Sequence, residues 1–234
     1  MAQHNRPCSY FITGTDTDVG KTFVTGALLQ HFKRHGIRAI GFKPISAGCD
    51  VSANGLVNQD ALTIQRYNSQ HIPLNIINPI AYQSAIAPHI AAKLCGQSIE
   101  FAALDKGWQQ LRQIPADVYL IEGAGGWMLP INPTDNLNQW VEQQQFAVIL
   151  VVGIKLGCLN HALMTAQMIE HQGLTIAGWV ANIIDPQTSH IEHNIDTLKV
   201  RLAAPHLATI PYFNDLSPDE AYQQIIFTNH LHEQ

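Results

Sequence analysis

The chain has 234 residues, a formal net charge of −5, and 46% hydrophobic against 13% charged residues. That length and apolar content suit one large α/β domain over residues 1–234, with a substantial core. The acidic balance, without any run of Lys or Arg, argues against a nucleic-acid surface, so phosphates must be met by a local site.

The four cysteines, Cys8, Cys49, Cys95 and Cys158, are far apart and form no C-x-x-C. Metal and redox motifs are therefore unsupported, and a reduced cytoplasmic setting is the simplest reading. Residues 1–9 are polar with no apolar signal core, and the longest apolar run, Phe146–Gly153, is too short to span a bilayer, so no membrane partner is expected. His190/His193 and His230/His232 could hold a metal only with further ligands, and read as solvated surface.

In chain order, Ser9–Thr13 reads as a strand, Lys21–His35 as a helix and Arg38–Lys43 as a strand. After Pro44 the chain turns irregular, with Ser46, Gly48, Asn54, Gly55 and Asn58. A loop this long in a compact domain is usually functional. Asp60–Tyr67, Pro88–Leu94 and Phe101–Arg112 read as helices. Val118–Ile121 reads as a buried strand ending in Glu122-Gly123-Ala124-Gly125-Gly126. Ala147–Val152, Ile176–Ile183 and Leu207–Ile210 are further apolar strands. Helical patterns lie at Asn136–Gln145, His161–Gln172 and Ile191–Leu202. Near-continuous apolar strands imply a mostly parallel central sheet flanked by helices, the architecture of a P-loop NTPase-like α/β fold.

The first strand leads into Thr13-Gly14-Thr15-Asp16-Thr17-Asp18-Val19-Gly20-Lys21-Thr22. This is the layout of a phosphate loop: backbone N–H groups and a helix N-terminus face a phosphate, Lys21 reaches the outer phosphates, and the Thr22 hydroxyl binds Mg2+. The spacing departs from the standard one, with five residues between Gly14 and Gly20 in place of four. The plainer alternative is a strand–turn–helix with an exposed Lys21.

Ligands of a parallel sheet gather at the carboxyl ends of its strands. Lys43, Glu122 and Asn182 fall at such ends. Glu122 has the features of a metal- or water-organising carboxylate, or else caps the next segment. The glycine run after it would let a ligand approach the backbone. Lys43 at a buried strand end needs an anion, unless it snorkels to the rim. Asp60 reads, on the residues alone, as a helix N-terminal acid.

These residues resemble dethiobiotin synthetase, a family of biotin biosynthesis. The similarity runs through the phosphate loop with its odd spacing, Gly41-Phe42-Lys43-Pro44 and Asn58-Gln59-Asp60-Ala61-Leu62. It continues through Val118–Trp127, Val148–His161, Ala177–Asn182 and Ile210-Pro211-Tyr212. The resemblance implies that 7,8-diaminopelargonate, CO2 and MgATP react through a carbamate and a carbamic–phosphoric anhydride to dethiobiotin, ADP and phosphate. It implies Lys21 and Lys43 as catalytic lysines, and Thr22, Asp60 and Glu122 as Mg2+ ligands. ATP contacts would come from Asp18, Val19, Gly20, Lys21, Thr22, Phe23, Gly123, Ala124 and Gly125, with adenine held near Asn182, Pro211, Tyr212 and Phe213. Lys43, Gly157 and Asn160 would meet the amine substrate, Asn160 across a homodimer interface.

Two positions depart from the family pattern. Asp18 stands where Glu is common. Ala47 stands where a hydroxyl residue is frequent, with Ser46 one place early and, in extended chain, facing the other way. Three other readings share the phosphate loop. A deviant P-loop regulatory ATPase would carry a second Lys where Asp16 stands, and often a basic or amphipathic segment, whereas Leu216–Gln234 is mixed and weakly acidic. A non-catalytic nucleotide module would not need Lys43. A related amide-forming ATPase differs only in its amine.

Overall fold

The computed structural model describes residues 7–53, 55–213 and 218–227. In chain order the elements are β1 (Cys8–Gly14), α1 (Lys21–Arg34), β2 (Ala39–Phe42), β3 (Ile45–Ser46), β4 (Asp50–Ser52), β5 (Gly55–Val57), α2 (Gln59–Tyr67), α3 (Leu74–Ile77) and β6 (Ile80–Ala81). They continue with α4 (Pro88–Leu94), α5 (Phe101–Leu111), β7 (Val118–Gly126), α6 (Leu137–Gln144), β8 (Ala147–Ile154), α7 (Cys158–His171), β9 (Ile176–Ile183), α8 (Ile191–Arg201), β10 (His206–Ile210) and α9 (Pro218–Gln224).

Six strands form one sheet in the order β10-β9-β8-β1-β7-β2, and every pairing in it is parallel. β1 lies between β7 and β8, with Ile12 beside both Glu122 and Ile149. The central strands are buried on both faces, as their continuous Val, Ile and Leu runs require. All strands point one way, so the loops after β1, β7, β8, β9 and β10 share one rim. The helices between successive strands cover the sheet.

The structure moves several expected boundaries. β2 stops at Phe42, because the Lys43 N–H leaves the sheet and donates to the Ile77 carbonyl at 2.8 Å. Within the irregular stretch after Pro44, β3 pairs in parallel with β6, and β4 with β5 as an antiparallel hairpin. These ribbons, two or three residues a strand, lack the apolar length that marks a strand in sequence. β7 runs through Glu122 to Gly126, so Glu122 is internal to the strand and not its last residue. α7 begins at Cys158, ahead of the expected His161, because Gly157 adopts φ 91° and opens the helix there.

α9 closes the back of α1. Asp219 pairs with Arg66 and accepts from the Tyr67 hydroxyl at 2.7 Å, while Arg34 donates to the Tyr222 carbonyl at 2.9 Å. The Tyr222 hydroxyl occupies the space that a Cβ at Gly26 would need. Among the described residues, no helix is long and apolar enough to cross a membrane.

Candidate active site

The loop after β1 has the strand–loop–helix shape its sequence suggests. Asp18 and Gly20 take positive φ values of 58° and 86°, turning successive peptides into the loop. Gly20 also lies so close to the Asn182 amide that no side chain fits there. α1 starts without a side-chain cap and without an acid in its first turn. Its first N–H groups are therefore open to an outside anion.

Lys21 is buried, and its Nζ donates to the Asp16 carbonyl at 3.0 Å. Burial, reinforced by the charge of Lys43, lowers its pKa to about 8. Among the described residues, no carboxylate forms an ion pair with it. A cation held this way has unspent electrostatic attraction for a phosphate.

Opposite the loop stands a cluster of charged groups. Lys43 Nζ donates to Glu122 Oε1 at 2.6 Å, to Asp60 Oδ2 at 2.9 Å and to the Gly123 carbonyl at 3.3 Å. The Lys43 side chain is 4% exposed and that of Glu122 0%. Burial acts to lower the Lys43 pKa, but Glu122 and Asp60 outweigh it and hold the ammonium above its ordinary value. For Asp60, burial acts to raise the pKa and Lys43 overcomes it, leaving the carboxyl below its ordinary value. The anion expected for Lys43 is thus supplied by the protein itself.

Thr22 Oγ1 donates to Glu122 Oε1 at 2.7 Å. Glu122 Oε2 is buried with no hydrogen-bond partner. Thr22, Glu122 and Asp60 therefore offer hard oxygens at one point, with an unmet acceptor among them. This suits Mg2+, which takes few protein ligands and completes its shell with water and phosphate. No group of three or more His, Cys, Asp and Glu side chains placed to hold a metal occurs among the described residues. His190 and His193 lie 5.4 Å apart, ring to ring, at the start of α8, and His230/His232 lie outside the described residues.

A cleft of about 820 Å³ joins these groups, lined by Asp18, Lys21, Thr22, Lys43, Asp60 and Gly125, among others. Sequence reasoning missed its apolar wall, Ala85, Ile86, Ala87, Pro88 and Leu129, which also faces the cleft. Small apolar residues before a proline carry no chemical signature. Asn58 lines it too, while capping α2 through bonds from the Asp60 and Ala61 N–H groups.

Other expected residues sit elsewhere. Asn182 is buried beneath the phosphate loop, donating to the Val19 carbonyl at 2.9 Å. It pairs in register with Ile210, so Pro211, Tyr212 and Phe213 emerge beside it, with Phe213 6.1 Å from Phe23. This group flanks the side of the loop away from Glu122. Val19 is fully buried. Gly157 and Asn160 are exposed in the first turn of α7, outside the cleft.

The glycine run divides in two. Gly125 has φ 61° and lines the cleft with Ala124, consistent with close approach by a ligand. A Cβ at Gly123 would lie 2.8 Å from Phe11 Cζ, so Gly123 answers to packing. Ser46 is buried and its hydroxyl donates to Asn78 Oδ1 at 2.7 Å, while Ala47 also reaches the cleft wall.

A glycine-turned loop between the first strand of a parallel sheet and a helix, with Lys21 and Thr22 facing a strand-borne Glu122, defines a P-loop NTPase-type protein. Solved structures agree on the fold. Chloroplast FtsY from Physcomitrella patens superposes with a TM-score of 0.51 at 16% identity, covering 95% of this chain and 66% of that one. A model of the AAA domain family matches residues 9–220. The ATP-dependent dethiobiotin synthetase BioD of Aeromonas hydrophila is 48% identical over 88% of this chain and 92% of its own. That of Pseudoalteromonas translucida is 46% identical over 93% and 96%, and that of Yersinia pestis 48% over 88% and 86%. The chain belongs to the ATP-dependent dethiobiotin synthetases.

Proposed function

We propose that this protein closes the ureido ring of dethiobiotin from 7,8-diaminopelargonate, CO2 and ATP, with release of ADP and phosphate. The observation that carries the reading is the phosphate loop facing the Lys43–Glu122–Asp60 cluster across one cleft. Carbamate formation, phosphoryl transfer and ring closure need positioned reactants and neutralised charge more than covalent help.

Lys21 and the N–H groups from Asp18 to Phe23 hold the β- and γ-phosphates. Thr22, Asp60 and Glu122 hold Mg2+, which when bound supplies positive charge to the phosphate oxygens. Lys43, kept charged by two carboxylates, stabilises the carbamate and the transferring phosphoryl group. Ala124 and Gly125 give the nucleotide close access to the backbone. Asn182 and the segment Pro211–Phe213 hold the adenine, which sets the base and the reacting phosphate on opposite sides of the loop.

A coupled assay for ADP release, with MgATP and bicarbonate, is the direct test. Release should depend on diaminopelargonate, and mass measurement should find the ureido product. ATP turnover that ignores this amine, or needs a different one, would move the reading to a related amide-forming ATPase.

Gly157 and Asn160 lie outside the cleft, so their contact with substrate carboxylate requires a second copy. Leu156, 97% exposed, and Met164, 62% exposed, flank that turn and support a covered apolar face. The expected active unit is a homodimer in which Asn160 and the helix N-terminus reach the neighbouring site. Sedimentation combined with activity should show a dimer; a fully active monomer would refute this. A single core cluster that includes residues from Tyr10 to Phe227 supports one domain over 1–234. Four unpaired cysteines support a cytoplasmic setting.

A further inference from the structure

Position 16 carries an unexpected charge. The loop from Gly14 to Lys21 is shaped to receive a polyanion, yet Asp16 places a carboxylate in it. That carboxylate is held on two sides. Its Oδ2 accepts from Lys155 Nζ at 2.9 Å, and its Oδ1 from the Thr17 N–H at 2.8 Å. The Asp16 carbonyl meanwhile accepts from Lys21. The hydrogen bond from Lys155, then that from Thr17, pulls the Asp16 carboxyl below its ordinary pKa, and His161 acts in the same sense.

Lys155 follows β8 directly, and its carbonyl accepts from the Cys158 N–H at 3.0 Å as α7 begins. Two other contacts seat the loop on β8. The Thr15 N–H donates to the Val151 carbonyl at 3.0 Å. Val19 packs so tightly on Gly153 that a Cβ there would lie 2.8 Å from Val19 Cγ1. Of these three ties, the Asp16–Lys155 pair is the one made by charge.

We propose that Lys155 is a positioning residue for nucleotide binding: its ammonium cancels the Asp16 carboxylate inside the phosphate loop, so that the loop presents a positive field to the polyphosphate. The inference rests on the nucleotide-binding part of the function proposed above and not on the identity of the amine. An uncancelled carboxylate in this loop repels a triphosphate, most strongly at low ionic strength. Once cancelled, the same group is useful, because it fixes the Thr17 peptide at the cleft wall. The pair also ties the phosphate loop to the turn that carries Gly157 and Asn160.

Calorimetry with the Mg2+ complex of a non-hydrolysable ATP analogue, at low salt on the full chain, tests this. Lys155→Met is expected to bind roughly tenfold more weakly, a typical coupling for groups in contact. The double variant Asp16→Asn/Lys155→Met should return to within about threefold of wild type, because the repulsion leaves with the carboxylate. Lys155→Arg, which keeps the charge, should bind as wild type does. Thermal midpoints of all three check the fold, and Lys155→Gln replaces Lys155→Met with the same expectation should that variant not fold. A purely mechanical brace predicts a double variant at least as weak as Lys155→Met. That result, or a Lys155→Met affinity within about twofold of wild type, would overturn the proposal. Normal analogue binding without amine-dependent turnover would instead overturn the synthetase reading and leave the pair standing.

Discussion

Lys21→Ala should slow turnover on the order of a thousandfold, several kcal/mol of barrier, without weakening the fold. The two halves of this expectation have one cause. Lys21 is buried beside another cation and forms no ion pair with a carboxylate among the described residues, so its charged form is penalised. Its ammonium donates to the Asp16 carbonyl of its own loop. Deleting it removes a buried charge that the fold itself does little to satisfy. Single-turnover kinetics and thermal melting on the same sample separate the effects. A near-normal rate would remove Lys21 from the phosphate site, and a large fall in melting temperature would show that its structural contacts matter more than its charge.

Lys43→Met should show the opposite balance, with a heavy loss of stability beside the loss of rate. The ammonium is ion-paired with Glu122, whose side chain is wholly buried. Removing one member of such a pair strands the other, at a cost of about 3–5 kcal/mol. For a chain of this size that corresponds to a melting temperature lower by roughly 10 °C. Mg2+ should recover part of the loss in the variant and stabilise the wild type less, since a metal at Glu122 and Asp60 replaces the missing charge. Melting curves with and without Mg2+ decide it. A variant as stable as wild type would show that Glu122 finds another partner. Equal Mg2+ stabilisation of both proteins would count against the metal site at these carboxylates.

The parts legible in sequence were those with a periodic or chemical signature. Apolar runs such as Val148–Val152 announce a strand buried on both faces, and Gly20-Lys21-Thr22 announces an anion cradle, because few residue types meet those demands. Asp60 was opaque on its own. An acid in the first turn of a helix is ordinary, and only tertiary approach brings its carboxylate to Lys43 and Thr22. Asp16 was opaque for the same reason: its countercharge, Lys155, comes from the end of another strand. Gly123 was legible as a glycine but not in its purpose, since a close ligand and a close Phe11 ring leave the same trace. The β4–β5 hairpin left no trace, its strands being three residues each, largely exposed and held mainly by backbone pairing.

The docking of Tyr222 against Gly26 binds the evolutionary histories of two sequence-distant positions. While the ring is in place, position 26 cannot accept any side chain, although a helix interior would favour alanine there. Among relatives, a larger residue at the position of Gly26 should therefore occur only where that of Tyr222 has become smaller, or where the terminal helix has moved away. Positions 26 and 222 then change as a pair, and α1 and α9 cannot be exchanged between family members one at a time.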